Sequence, residues 1–307
     1  MHFEDGLTQT EIATRTGYSP SMISRLLLEA RKQGIIEVRI HHPHRRRTDM
    51  ERELEELLNL KAVRVMVHSI HGYPQRLRHL GNLAARLVEE LVHNNMTIGV
   101  TWGPAVYETI NAMRPGTVFG VHVVQMTGSI QSLSTQMDGQ ELARNLARAL
   151  IGYYTPLPAP AVVDSEATRD ALIRDPHIQK VLEQFANIEL ALLELDSLDP
   201  EHSSLLQAGY LTVEQLEELE QNGAVGDVCA RGFDLYGNLL DIPLTRRVIG
   251  ITAEELTVIP LKLAIAGGHA VILPIIGAAR AELINMLVTD EEAATGVLQI
   301  LKRMGMR

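Results

Sequence analysis

The strongest constraint on the fold is a regular alternation of short apolar runs with longer amphipathic segments, which begins near Val63. Six apolar runs have the length of buried strands: residues 63–67, 97–100, 121–126, 188–195, 258–266 and 284–288. Amphipathic stretches separate most of these runs, and in residues 75–93 leucines recur at helical spacing. Strands that alternate with helices form a parallel sheet covered on both faces. The sequence therefore predicts an α/β fold with a Rossmann-like parallel sheet over residues 62–307.

Length and composition narrow the class of protein. The chain has 307 residues, of which 46% are hydrophobic and 21% charged, so it is long enough for two globular domains. Its single cysteine, Cys229, excludes an internal disulfide and is typical of the reducing cytoplasm. The apolar stretch 258–279 contains Lys262 and is split by Gly267 and Gly268, so it predicts a buried strand and helix rather than a membrane span. We expect a cytoplasmic protein without membrane contact.

Charge is distributed unevenly along the chain. The formal net charge is −10, yet residues 1–47 contain more Lys and Arg than Asp and Glu and carry about +3, which leaves about −13 on the remainder. An acidic protein does not bind nucleic acid over its whole surface. A small basic segment on an acidic body indicates that one end contacts phosphates.

Residues 1–45 have the pattern of a winged helix-turn-helix. Thr8 and Glu11 can form a capping box at the start of one helix, and Gly17 can end that helix in a tight turn. Ser19 can cap a second helix that runs to about residue 32, and residues 35–40 alternate like a short wing strand.

The second helix is predicted to lie in the major groove of operator DNA. The candidate DNA-binding residues are Gln9, Ser19, Ser21, Met22, Ser24 and Arg25. Arg25 suits a guanine or phosphate contact. The alternative is a helical hairpin that packs on the body without touching DNA. A helix-turn-helix usually has a preceding helix, for which residues 1–5 are too few, so we expect that helix to be truncated, missing from this sequence or replaced by another element.

Residues 46–61 are predicted to link the two domains. A short helix over residues 49–60 has Met50, Leu54 and Leu57 on one face, which can align two DNA-binding heads or pack on the body. Three histidines precede it, at positions 41, 42 and 44. Because neither a cysteine nor a carboxylate lies near them at a zinc-site spacing, we expect a solvated wing tip, and neither a metal nor a cofactor in the protein.

Loops after the predicted strands are the expected ligand site, because parallel sheets bind ligands at the carboxyl ends of their strands. Glycines and small residues with hydroxyl groups in these loops let backbone N–H groups point at an anion or at sugar hydroxyls. A glycine-rich bend over residues 226–234 adds charged groups that either form a structural ion pair or grip a ligand. The candidate effector-binding residues are Thr101, Trp102, Gly103, Thr127, Gly128, Ser129, Glu194, Asp227, Arg231, Asp234, Gly267 and Gly268.

Several of these motifs, in this order, resemble the SorC family of sugar-responsive bacterial transcriptional regulators. The matching stretches are residues 6–9, 24–26, 34–36, 99–103, 158–160, 223–227, 233–234, 266–268 and 287–291. The resemblance covers nearly the whole chain. It implies an effector domain similar to ribose-phosphate isomerases and glucosamine-phosphate deaminases, a homotetramer or homodimer, and a sugar, polyol or sugar-phosphate effector.

The chain departs from the family pattern at two positions. Val271 stands where the family has a lysine that meets the effector phosphate, and Glu194 lies in a strand that often ends in Gly-Ile-Gly. Like charge at Glu194 disfavours a phosphate. We therefore hypothesise a neutral polyol or free sugar, with Glu194 accepting hydroxyl hydrogens; alternatively the site has decayed or Glu194 points away. The competing function is a sugar-phosphate isomerase or deaminase-like enzyme with an added N-terminal helical module, for which no catalytic pair stands out.

Overall fold

The computed structural model describes residues 1, 7–32, 46–67, 72–116, 118–130 and 135–305. The chain divides into two compact units, Met1–Pro43 and His44–Arg307. The predicted wing strand at residues 35–40 and the histidines at positions 41, 42 and 44 lie outside the described residues.

The N-terminal unit contains α1 (Gln9–Thr16) and α2 (Pro20–Lys32). The capping box predicted at Thr8 forms, and Gly17 ends α1 with a left-handed φ of 75°. The Ser19 hydroxyl accepts a hydrogen bond from the backbone N–H of Met22 at 3.2 Å, so it caps α2 as predicted. Both helices and their caps are thus encoded locally in the sequence.

The larger unit alternates strands and helices. Its described strands are β1 (Ala62–Met66), β2 (Thr97–Val100), β3 (His122–Gln125), β4 (Tyr153–Thr155), β5 (Leu190–Glu194), β6 (Asp196–Ser197), β7 (Ala224–Val228), β8 (Arg231–Asp234), β9 (Leu261–Ile265) and β10 (Met286–Asp290). Its described helices are α3 (Thr48–Leu58), α4 (Tyr73–Leu91), α5 (Pro104–Ala112), α6 (Gly139–Ala149), α7 (Glu166–Ile173), α8 (Pro176–Leu182), α9 (Ser204–Gln207), α10 (Val213–Gln221), α11 (Ala253–Thr257), α12 (Ile272–Arg280) and α13 (Glu291–Arg303).

A parallel sheet forms the centre of this unit, in the strand order β1-β10-β9-β5-β2-β3-β4. Every neighbouring pair in it is parallel, and β5 and β10 are buried along their full length. Separate apolar clusters cover the two faces, one around Leu193 and the other around Leu192, because successive side chains on β5 point to opposite faces. The predicted α/β fold with a parallel sheet is confirmed.

Three features differ from the sequence prediction or extend it. The strand predicted from residue 258 begins only at Leu261, and Val258, which directly follows α11, is 77% exposed. The sheet gains an edge strand, β4, that the sequence analysis did not predict. The glycine-rich bend over residues 226–234 belongs to an antiparallel sheet of β6, β7 and β8.

The predicted linker helix is α3, and it lies in the same compact unit as the sheet. Met50 and Leu54 are buried in the apolar cluster on one sheet face, and Leu57 packs against that cluster. The buried Glu51 accepts a hydrogen bond from the backbone N–H of Val65 on β1 at 2.9 Å. Of the two roles left open for this helix, the described contacts favour packing on the body.

Candidate functional site

The carboxyl end of the central strand β5 carries Glu194, whose carboxylate caps the neighbouring helix α5. Its Oε2 atom accepts hydrogen bonds from the backbone N–H groups of Ala105 at 2.9 Å and Val106 at 3.2 Å. These are first-turn donors of α5, which have no partner inside the helix. Glu194 therefore points towards the strand ends, and one of its oxygens is committed to the fold.

The loop between β2 and α5 supports this arrangement. Gly103 has φ 133°, and a Cβ atom there would lie 2.3 Å from Oε2 of Glu194, so the backbone needs glycine at this position. The Thr101 hydroxyl accepts a hydrogen bond from the backbone N–H of Glu194 at 3.1 Å. Trp102 is buried, and its Nε1 atom donates to the Ser204 hydroxyl at 3.4 Å. Thr101 and Gly103 therefore position Glu194, whereas Trp102 contacts Ser204.

Two further buried carboxyl groups, Asp196 and Asp227, form a cluster with Glu194 in which Asp196 interacts with both of the others. Asp196 on β6 is directly paired with Asp227 on β7. The Ser204 hydroxyl donates a hydrogen bond to Asp196, and Asp227 accepts one from the backbone N–H of Ala230 at 3.0 Å. Among the described residues, no ion pair joins any of these three acids to a cation.

This cluster shifts the pKa values of its members upwards. Burial raises the pKa of Glu194 well above its usual value, and the charge of Asp196 raises it further. Burial likewise raises the pKa of Asp196 to about 6, against the opposing effect of the Ser204 hydrogen bonds. Burial and then the charge of Asp196 raise the pKa of Asp227. The cluster thus carries less negative charge near neutral pH than three ordinary carboxylates would.

A cavity of about 260 Å³ opens at the carboxyl ends of β5 and β9, and we call it the strand-end pocket. Its lining is Tyr73, Arg76, Leu77, Glu194, Leu195, Asp196, Ser197, Asp199, His202, Ile265, Ala266, Gly267, Gly268, His269, Ala270, Val271 and Glu292. Arg76 contacts two carboxylates, with Nε 3.2 Å from Oδ2 of Asp290 and Nη2 2.7 Å from Oε2 of Glu292. The guanidinium charge of Arg76 is therefore already balanced.

The double glycine after β9 forms one wall of this pocket. Gly268 has φ 90°, and its backbone N–H donates to Oδ1 of Asp290 at 3.2 Å. The same oxygen accepts from the backbone N–H of Ala293 at 2.9 Å, which caps α13. Val271, at the family's lysine position, lines the pocket with an apolar side chain.

The loop after β3 does not line the strand-end pocket. Thr127 and Ser129 form isolated bridges to Gly250 and Pro160, and a Cβ atom on Gly128 would lie 2.4 Å from the Pro160 backbone. The Ser129 hydroxyl donates to Oδ2 of Asp138 at 3.2 Å. The glycine here permits close packing of backbones.

Arg231 and Asp234 of the β7–β8 hairpin do not line this pocket. Arg231 donates from Nη1 to the carbonyl oxygen of Thr245 at 2.9 Å and from Nη2 to that of Ile251 at 3.0 Å. It lines a separate cavity of about 400 Å³. Asp234 accepts hydrogen bonds within its own turn, from Tyr236 and Asn238. Both residues therefore make structural hydrogen bonds with the backbone, and the structural ion pair left open by the sequence does not form among the described residues.

The DNA-binding candidates lie in the N-terminal unit. Ile12, Ala13 and Ile23 form its small core, with Leu7 and Leu27 packed against them. Ser19, Ser21, Met22, Ser24 and Arg25 are exposed, and Gln9 is partly so. Exposure leaves these side chains available to DNA, and their contact with it remains a prediction.

Residues 42–299 match a family model described as "Putative sugar-binding domain". The chain belongs to the SorC family of sugar-binding-domain transcriptional regulators. It is 27% identical to the deoxyribonucleoside regulator of Bacillus subtilis, over 98% of this chain and 96% of the relative. It is 26% identical to the sorbitol operon regulator of Klebsiella pneumoniae, over 97% and 95% of the two chains.

The crystal structure of the full-length sorbitol operon regulator SorC from Klebsiella pneumoniae superposes with a TM-score of 0.80, at 25% identity, over 97% of this chain and 95% of that one. The resemblance inferred from the motifs is therefore confirmed, and this SorC-family chain is a transcriptional regulator. The enzyme alternative gains no support from these relatives. In the described part of the chain, no helix is both long enough and apolar enough to cross a membrane.

Of the predicted effector residues, the structure brings Glu194, Gly267 and Gly268 together in the strand-end pocket and buries Asp227 behind them. Sequence reasoning missed the pocket residues Tyr73, Arg76, Asp196, Asp199, His202 and Glu292. Two signals could have found some of them. Asp196 follows Glu194 by two residues, and Glu292 lies two residues beyond the carboxyl end of β10.

Proposed function

We propose that this regulator controls a carbohydrate or polyol catabolic operon, and that a sugar-type effector binds in its strand-end pocket and alters the affinity of the N-terminal unit for DNA. The observation that carries the proposal is the position of the pocket, at the carboxyl ends of β5 and β9 within the family-matched domain. Parallel α/β sheets bind their ligands at this edge. The pocket combines an apolar floor with several convergent polar groups, as small-molecule sites do.

DNA contact is assigned to the exposed start of α2. Ser19, Ser21 and Ser24 offer hydroxyl groups and Arg25 a guanidinium on this solvent-facing surface. Short polar side chains suit both phosphate and base-edge contacts, and an arginine suits guanine or phosphate. We place the protein in the cytoplasm, where it acts as a homodimer or homotetramer on operator DNA.

Transmission from pocket to DNA is assigned to α3, which follows the N-terminal unit in the chain. Leu54 and Glu51 fix this helix against the sheet, so a change in the sheet edge reaches it through direct contacts. In this mechanism the effector shifts the packing between the larger units of the oligomer, and α3 passes this shift on to the spacing of the N-terminal units on DNA.

Binding of the purified full-length protein to a labelled duplex from the region upstream of its own gene tests the proposal. Fluorescence anisotropy at several salt concentrations should give an affinity that falls as salt rises, because phosphate contacts release counterions. A thermal-shift screen of sugars, polyols and their phosphates should show saturable stabilisation by one chemical class. Absence of both salt-sensitive DNA binding and ligand stabilisation would refute the proposal.

A further inference from the structure

We propose that the effector is an unphosphorylated polyol or sugar, because internal carboxylates already occupy the backbone donors that would hold a phosphate. This inference rests on the proposed function, which places the effector in the strand-end pocket. Backbone N–H groups at glycine-containing strand ends and at helix N-termini are the usual anion cradles of such folds. In this chain three such places are filled by acids and carbonyl oxygens of the protein itself. Of these, the double glycine lines the strand-end pocket, and the other two lie at strand ends outside its lining.

The first place is the start of α5. Glu194 takes the N–H groups of Ala105 and Val106, and the N–H of Gly103 donates to the Met137 carbonyl oxygen at 3.4 Å. The helix begins with a proline, which has no N–H to offer. A phosphate could bind here only after displacing the buried Glu194 side chain.

The second place is the double glycine after β9. Asp290 takes the N–H of Gly268 with one oxygen and contacts Arg76 with the other, at 3.2 Å in both cases. A Cβ atom on Gly267 would lie 2.9 Å from Oδ2 of Asp290, so the loop backbone lies directly against this carboxylate. Arg76 also contacts Glu292. A phosphate would therefore compete with two carboxylates for one guanidinium.

The third place is the loop after β3. Oδ1 of Asp138 accepts from the backbone N–H of Ile130 at 3.0 Å, and its Oδ2 accepts from the Ser129 hydroxyl. The N–H groups of Gly128 and Ser129 donate to the carbonyl oxygens of Ile249 and Ala159. This loop has used its donors within the fold, as the other two have.

The charge of the residues that line the pocket also disfavours a phosphate. The described residues of the lining include the acids Glu194, Asp196, Asp199 and Glu292, against Arg76 as the permanent cation. The raised pKa values of Glu194 and Asp196 reduce their negative charge, but Asp290 and Glu292 already balance the guanidinium of Arg76. Carboxyl oxygens, in contrast, accept hydrogen bonds from hydroxyl groups. A ligand with several hydroxyl groups and no phosphate matches such a surface.

Inorganic phosphate is the first probe, added to the full-length protein in a thermal-shift titration against chloride at matched ionic strength. The wild type should show no saturable stabilisation beyond the chloride series. Glu194→Gly, which frees the donors at α5, should bind phosphate about tenfold more tightly than the wild type or better. Glu217→Ala removes an exposed acid outside the pocket lining and should leave phosphate binding unchanged.

Phosphate bound elsewhere on the protein is identified with Ala270→Trp, which places a large side chain in the pocket. Saturable binding of phosphate to the wild type that is lost in Ala270→Trp would overturn the inference. Phosphate binding that survives in this variant lies outside the pocket and agrees with it.

A second measurement on the wild type does not depend on any variant. D-sorbitol, D-ribose and D-glucose are each titrated beside their monophosphate esters, and the esters should bind at least about tenfold more weakly than any parent compound that binds. An ester that binds more tightly than its parent would also overturn the inference. If an ester alters DNA binding, this inference fails and the proposed function stands. If phosphate is rejected but DNA is not bound, the proposed function fails alone.

Discussion

Replacement of Gly103 by alanine tests whether Glu194 is built into the fold as the cap of α5. An added Cβ atom would lie 2.3 Å from Oε2 of Glu194, on a backbone with φ 133° that side chains rarely adopt. The backbone strain costs about 1–3 kcal/mol. Displacement of Glu194 would leave the N–H groups of Ala105 and Val106 unpaired, at about 1–3 kcal/mol for a buried donor. We expect Gly103→Ala to lower the free energy of unfolding by about 3–9 kcal/mol in total, from the strain and the two unpaired donors.

Gly209→Ala is the matched control. Gly209 also has a positive φ, of 74°, but a Cβ atom added there would meet open space, so the substitution adds strain without a clash. It should cost about 1–2 kcal/mol. Urea unfolding gives both values, with fluorescence of the single tryptophan, the buried Trp102, as the reporter. In the double variant Gly103→Ala/Glu194→Gly the clash is absent, so the loss of unfolding free energy should be smaller than the sum of the losses in the two single variants.

Equal costs for Gly103→Ala and Gly209→Ala would refute the reasoning, since strain alone would then explain both. Strict additivity in the double variant would refute it as well, because it would mean that Gly103 and Glu194 do not interact.

Three further predictions concern the acid cluster, α3 and the DNA-binding surface. At pH 8, Asp196→Asn should have a larger free energy of unfolding than the wild type, by up to about 3 kcal/mol. Burial raises the pKa of Asp196 to about 6, so the wild type loses its stabilising protonated carboxyl group as pH rises through that value. Urea unfolding should show this difference vanish between pH 8 and pH 4, and a pH-independent difference would contradict the cause. Leu54→Ala should cost about 2–5 kcal/mol because Leu54 is fully buried, whereas Leu28→Ala, at an exposed position of α2, should cost little; similar costs by urea unfolding would contradict the packing of α3 on the body. Arg25→Ala should weaken DNA binding and reduce the slope of log affinity against log salt by about one, while Arg148→Ala, exposed on α6, should leave that slope unchanged in anisotropy titrations.

Local chemistry made much of the fold predictable. The capping box at Thr8, the Ser19 cap and the end of α1 at Gly17 depend on residues within four positions of each other. The buried strands were predictable because a parallel sheet covered on both faces requires continuous apolar runs, as in residues 190–194. The edge strand β4 has three residues and is half-exposed, so it lacks that signal.

The site was only partly predictable, because it depends on contacts between distant parts of the chain. The hydrogen bond of Glu194 to Ala105 spans 89 residues, and that of Gly268 to Asp290 spans 22. The sequence places Glu194 at a strand end but does not say that it caps a helix. Arg231 belongs to an antiparallel hairpin whose fold against residues 245–251 has no periodic signal, so its hydrogen bonds with backbone carbonyls could not be foreseen.

The most direct test of the account is the effect of a pocket ligand on DNA affinity. The compound that most stabilises the wild type in the thermal-shift screen is added at saturation to an anisotropy titration with the upstream duplex. The account predicts a change in Kd of about fivefold or more for the wild type and none for Ala270→Trp, whose pocket is blocked. An unchanged Kd in the wild type, or an equal change in both proteins, would contradict it.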